Sequence, residues 1–130
     1  MAASDDPSAH LRKHSFISLT TFRTNGEAVP TPVTFGEAHG SDKLYVVTGL
    51  KTGKMKRLQH NLAVALAPCD QKGRVVGTAV QGHARILSAA EGKARRKQIR
   101  FRTPAPILFM FNLLRELRSG GNVYLEISLR

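Results

Sequence analysis

The chain has 130 residues, 42% of them hydrophobic and 22% charged, a balance that predicts one packed domain and excludes a disordered chain or two ordinary domains. Twenty Lys and Arg against nine Asp and Glu leave a formal charge of +11, so the surface field attracts anions. One cysteine, Cys69, excludes an internal disulfide framework and a cysteine-built zinc site, and fits a reducing cytoplasm.

Met1 to Pro7 carries Asp5 and Asp6 where a signal peptide has basic residues ahead of an apolar run, so residues 1–13 read as a flexible N-terminal tail and 14–130 as a single domain. Phe16 to Arg23 and Ala28 to Phe35 are β-rich runs separated by Thr24-Asn25-Gly26, a strong hairpin signal. Pro30 and Pro32 deny the second run two backbone donors, which suits an edge, a bulge or a ladder interrupted beside a ligand. Leu44 to Thr48 follows as a third strand. Thr52 to Asn61, with Met55 and Leu58 at helical spacing, predicts a short helix capped by Thr52. Leu62 to Pro68 alternates bulky residues with alanines, a fourth strand with a thin face against which something packs. Thr78 to Leu87 is a fifth strand, Ala89 to Phe101 and Ala105 to Arg118 are helices, the second ended by Ser119-Gly120-Gly121, and Val123 to Leu129 is a closing strand. Five strands in a meander, a helix inserted between the third and fourth, late helices and a returning strand predict a mainly β, α+β fold on an antiparallel barrel of about six strands. No stretch approaches the roughly 20 apolar residues of a membrane helix. The apolar helix after Pro106 reads as dimer or barrel packing, with membrane-surface contact the weaker alternative.

Chemistry concentrates in Thr48-Gly49-Leu50-Lys51-Thr52-Gly53-Lys54-Met55-Lys56-Arg57. A strand ends, a glycine loop follows, and a helix opens with three cations, so backbone N–H groups, threonine hydroxyls and positive charge can converge on a phosphate. A P-loop is excluded by the glycine spacing and by Met55 at the magnesium-binding position. Lys93, Arg95, Arg96, Lys97, Arg100 and Arg102 spread around their helix as a solvated face; poor aromatic interleaving makes nucleic acid a weak alternative partner. His10 and His14 lack a third ligand nearby, so no metal site is expected. Cys69 has no local base and reads as an inert strand-end thiol. No residue stands out as a catalytic acid or nucleophile, which points to a bound cofactor as the reactive group.

The series Ser18-Leu19-Thr20-Thr21-Phe22-Arg23, Asn25-Gly26, Thr31-Pro32-Val33, Leu44-Tyr45-Val46, Thr48-Gly49, Gly53-Lys54-Met55-Lys56-Arg57-Leu58, Asn61, Leu66-Ala67-Pro68-Cys69-Asp70, Gly82-His83-Ala84-Arg85-Ile86-Leu87 and Tyr124-Leu125-Glu126-Ile127 resembles the deazaflavin-dependent branch of the split β-barrel flavoproteins. These belong to the pyridoxamine 5'-phosphate oxidase-like superfamily, which has an FMN-binding fold. The resemblance spans about residues 14–129. It implies a homodimer with coenzyme F420 in a cleft between protomers and hydride transfer between the deazaflavin C5 and an electron-poor small organic substrate, in the reductase direction. The site residues implied are Lys54 on the phosphate, with Thr48, Lys51, Thr52, Lys56 and Arg57 around it, and Thr31, Pro32, Val33 and Thr34 along the ring. F420 is a polyanion, which the +11 charge suits. An FMN-dependent oxidase or reductase of the same fold, or an F420-binding protein without turnover, are the alternatives.

Overall fold

The structure, a computed structural model, describes residues 11, 13–38, 42–70, 72–101, 110, 113–114 and 121–129. Strands β1 (Phe16–Phe22) and β2 (Ala28–Ala38) are followed by β3 (Leu44–Gly49), helix α1 (Gly53–His60), β4 (Ala63–Cys69) and β5 (Val80–Ile86). Helix α2 (Ala89–Arg96), a short β6 (Ile99–Phe101) and β7 (Asn122–Leu129) complete the series. Among the described residues no helix is long and apolar enough to cross a membrane.

The predicted hairpin forms. β1 and β2 pair antiparallel from Phe22↔Ala28 to Phe16↔Thr34, and Gly26 adopts φ +89° in the turn, a conformation that costs glycine little. The Asn25 side chain accepts from the Glu27 N–H at 2.9 Å, locking the turn from within.

Alternation then sets the barrel wall. Ile17, Leu19, Val33, Phe35, Leu44, Val46, Val64, Leu66, Leu125 and Ile127 are buried in one core, as inward-facing positions of paired strands must be. Neighbours run β1-β4-β5-β7-β3-β2, and β2 returns to β1, closing a six-stranded antiparallel barrel to which β6 is added. α1 plugs one end with Met55 and Leu58, which join the core.

Three expectations need correction. The strands are not a meander past β3: β3 pairs with β7, and β4 lies between β1 and β5. α1 makes this possible by carrying the chain across the barrel end. The helix expected over Ala89 to Phe101 stops at Arg96, and Ile99–Phe101 pairs with β2 instead. Ile99 and half-buried Phe101 are held there by a second, smaller core on the outside of the barrel, formed with Ala38, Tyr45, Leu87 and Tyr124. Leu11, assigned to the tail, is fully buried in the main core.

Of β4's thin face, Ala67 is buried and Ala63 and Ala65 are half-buried. The helix expected over Ala105 to Arg118 lies largely outside the described residues; Met110, Leu113 and Leu114 are helical and exposed.

Candidate active site at the split between β2 and β3

The β2–β3 ladder is short. It joins Phe35 to Val46, Gly36 to Tyr45 and Glu37 to Leu44, and continuing its register would set Val33 opposite Thr48 and Pro32 opposite Gly49. The ladder ends at Phe35↔Val46, so the two strands part and a gap opens on this edge of β3, while its other edge stays paired with β7 from Leu44↔Ile127 to Gly49↔Asn122. Since Gly36 and Glu37 pair with β3 on one side and β6 on the other, β1 and β6 share one edge of β2. The opposite edge, from Ala28 to Thr34, carries no strand among the described residues. Pro30 and Pro32, which have no N–H to offer, suit such an edge.

The gap lies between the segment that the family resemblance implied for the ring and the cationic loop that patterning singled out. One border is Thr31 to Thr34; the other is the loop from Thr48 into α1, which packs against both β1 and β3. Side-chain direction divides the first border. Val33 belongs to the core, and Thr31 shares its inward parity, its hydroxyl 3.4 Å from the Leu19 carbonyl. Both can therefore meet a ligand chiefly through backbone. Pro32 and Thr34 lie on the outer face. Pro32 is exposed, whereas Thr34 is 5% exposed and its Oγ1 is buried with no hydrogen-bond partner among the described residues.

The second border is built rigidly. Thr52 Oγ1 donates to the Gly49 carbonyl at 2.9 Å and accepts from the Met55 N–H at 3.3 Å, the N-cap expected from sequence. That hydroxyl is thus committed to the loop itself. The Leu50 N–H donates to the Gly121 carbonyl at 3.0 Å, pinning the loop to the start of β7. Gly53 and Lys54 open α1, where first-turn N–H groups lack intrahelical acceptors and favour anions. Lys51 and Lys56 are exposed, and Lys54 is half-buried. Thr48 is buried, on the inward parity of Leu44 and Val46.

Arg57 is the residue the structure places differently from its loop neighbours. Its Nε donates to Thr21 Oγ1 at 2.6 Å while its Nη1 lies against Gly53, 3.0 Å from where a Cβ would stand, so the guanidinium bridges β1 and the first turn of α1. Burial and the nearby Arg23 charge pull its proton affinity below the usual arginine value. Arg23 in turn holds Glu27 at 2.7 Å. Thr21 and Arg23 were missed from sequence; what unites them with Arg57 is the parity of β1 beside a helix 30 residues away.

A further neighbour also escaped the sequence reading. Asp70 accepts from the N–H groups of Lys72 and Arg74, each at 2.9 Å, and pairs with Arg74 Nε at 2.7 Å. The Arg74 N–H, then the Arg74 side chain and, less, the Lys72 N–H hold its carboxyl below the usual range. The turn they build brings Gly73 over Pro32, where an added Cβ would lie 3.5 Å from the ring. Cys69 is buried, and desolvation followed by the Asp70 charge pushes its thiol up, the opposite of an activated nucleophile. Among the described residues no group of three or more His, Cys, Asp or Glu could hold a metal.

A protein-family model described as pyridoxamine 5'-phosphate oxidase matches residues 6–107. Solved structures share the fold. General Stress Protein 26 from Bacillus anthracis is 17% identical with a TM-score of 0.66, covering 99% of this chain and 90% of that one. A FAD-binding protein from Mesorhizobium loti is 15% identical with a TM-score of 0.66, covering 99% and 89%. An F420 reductase is 18% identical with a TM-score of 0.57, covering 95% and 92%. No curated protein gives a significant match.

Proposed function

Because the chain belongs to the pyridoxamine 5'-phosphate oxidase family, whose fold serves flavin- and F420-binding oxidoreductases, we propose that it is an F420-dependent reductase acting on an electron-poor small molecule. It works as a cytoplasmic homodimer with the cofactor cleft between protomers. The observation that supports the reading is that the loop and first turn of α1 bearing Lys51, Lys54 and Lys56 begin where the β2–β3 ladder has ended, across from the unpaired edge of β2. Such a border suits a long anion with a flat ring: cations and N–H groups for the phosphate, an unladdered backbone for the ring.

Thr34 supports the fit. A buried hydroxyl without a partner costs about 1–3 kcal/mol, and a polar ring edge docked on the outer face of β2 would relieve it. F420 is favoured over FMN because it carries an oligoglutamate tail, and the loop and the +11 net charge offer more cationic character than one phosphate uses. FMN is the second reading, favoured by the likeness to a FAD-binding protein.

When bound, the cofactor supplies hydride chemistry at its ring carbon. The chain's residues do the rest. Lys54, flanked by Lys51 and Lys56, holds the phosphate; Arg57, braced on Thr21, fixes α1 against β1. The Thr31 and Val33 backbone, with the side chains of Pro32 and Thr34, orients the ring. Met55 and Leu58 fill the barrel end beneath and keep water from that side. No side chain is assigned as proton donor, and solvent fills that role.

The test is a fluorescence titration of the purified protein with F420 and, in parallel, FMN at moderate salt. Saturable micromolar binding of F420 over FMN is expected, and Lys54→Ala should weaken it by about 1–3 kcal/mol through loss of a charge-assisted contact. Preference for FMN would move the chemistry to the flavin branch, and binding of neither would overturn the reading. Unchanged affinity in the variant would remove Lys54 from the site.

A further inference from the structure

A cavity of about 600 Å³ lies on the other side of the anion loop, between α1, α2 and the start of β7. Its volume falls in the range of small-molecule sites. Leu50, Met55, Leu87 and Tyr124 supply apolar wall, while Lys93 and Arg96 stand on the α2 side.

These two cations are the informative feature. Three residues apart on α2, they share a helix face, where like charges repel. Neither makes an ion pair or hydrogen bond among the described residues. The nearest acid in sequence, Glu91, is turned elsewhere: it accepts from Arg85 at 2.9 Å and from Ser88. No acidic side chain lines the cavity among the described residues.

The opening is not slack left by a poorly seated helix. α2 already packs tightly on β7 at Gly92, where an added Cβ would lie 3.2 Å from the Tyr124 ring. The helix therefore cannot settle further to close the space beside it. A partly open cavity with one apolar wall, polar groups at Gln59, Ser88 and Asn122, two unneutralised cations on one side and no acid among the described residues complements a ligand with an apolar body and an anionic end.

We propose that this cavity is a binding site for an amphipathic monoanion, an apolar chain or ring system ending in a carboxylate, with Lys93 and Arg96 on the anionic end. The site goes beyond the cofactor reading and does not rest on it. Its test uses the full chain without added cofactor, so failure of one reading is distinguishable from failure of the other.

The probe is 11-(dansylamino)undecanoate, followed by its fluorescence enhancement, with its methyl ester as the uncharged comparison. The acid should bind saturably and at least tenfold more tightly than the ester. Lys93→Gln with Arg96→Gln should erase that preference, while Lys97→Gln with Arg100→Gln, which removes the same charge from exposed positions outside the cavity lining, should leave it intact. Ala89→Phe, at an exposed position on the cavity rim, should abolish binding of both probes while circular dichroism shows the fold retained. Equal binding of acid and ester, equal loss in both charge variants, or tight binding that survives Ala89→Phe would each overturn the proposal. So would no saturable binding at all.

Discussion

Two neighbouring residues on β2 show how differently a position can be constrained. Thr34 carries a buried hydroxyl with no partner among the described residues, so the folded chain bears a desolvation cost that a methyl group would avoid. Thr34→Val should therefore leave the cofactor-free protein as stable or more stable, by up to about 1–3 kcal/mol, while weakening cofactor binding. Urea denaturation with a parallel titration checks both, and a clear loss of stability would show that the hydroxyl has a partner after all. Gly36 is constrained by space: an added Cβ would lie 2.7 Å from Ile99 Cγ2 and 2.9 Å from the Arg100 carbonyl. Gly36→Ala should cost about 1–3 kcal/mol by overpacking, read as a lower denaturation midpoint with an unchanged slope. Neither constraint is legible locally, since Thr34 sits in an ordinary β-rich run and Gly36 gains its crowding from a strand more than 60 residues on.

At the scale of elements, α1 and α2 differ in what holds them. α1 was readable because its determinants are local: the Thr52 cap, and Met55 and Leu58 three apart on one face. α2 has its own local start, with Ser88 capping the Glu91 N–H at 3.1 Å. Its docking depends on a network spread across the sheet. Arg85 on β5 bridges Glu91 at 2.9 Å and Glu126 on β7 at 3.1 Å, and the buried Tyr45 hydroxyl donates to Glu126 at 2.8 Å. Burial alone would raise the Glu126 carboxyl, but the Tyr45 hydroxyl and Arg85 outweigh it and hold it below the usual range. A depressed carboxylate stabilises the fold above its unfolded pKa and loses that contribution as pH falls through the folded value. Glu126→Gln should therefore be less stable than the parent near neutral pH by about 1–3 kcal/mol, with the gap closing below about pH 4.3, the ordinary glutamate value. Denaturation of both proteins across pH 7 to 3 checks the sign; a gap that widens toward acid would contradict it. The end of α2 was misread because three residues are too few for the two-residue spacing of Ile99 and Phe101 to stand out after a run of helix formers. Burial on the outside of the barrel decided for the strand.

For the whole molecule, charge and topology act together. A +11 chain attracts any polyanion, so F420 affinity should fall as ionic strength rises and the field is screened. The part held by direct contacts at the gap should persist. Titrations from low to high salt in the parent and Lys54→Ala separate the two: the variant should lose affinity at every salt concentration, while both show the same decline. A decline confined to the parent would mean that Lys54 acts only through the general field.

The sequence by itself determined the barrel class, the β1–β2 hairpin, the capped α1 and the cationic loop, because each rests on alternation, turn chemistry or capping within a few residues of chain. Tertiary structure alone decided where β2 and β3 part, leaving residues 31–34 and the loop after β3 on facing borders of a gap, since the end of a ladder depends on how the strands twist and close into the barrel. It also turned Arg57 to Thr21, sent Val33 inward and Thr34 outward, and left a cavity beside Lys93 and Arg96 that no acid lines among the described residues. Those outcomes depend on packing between segments far apart in the chain, and local periodicity carries no record of them.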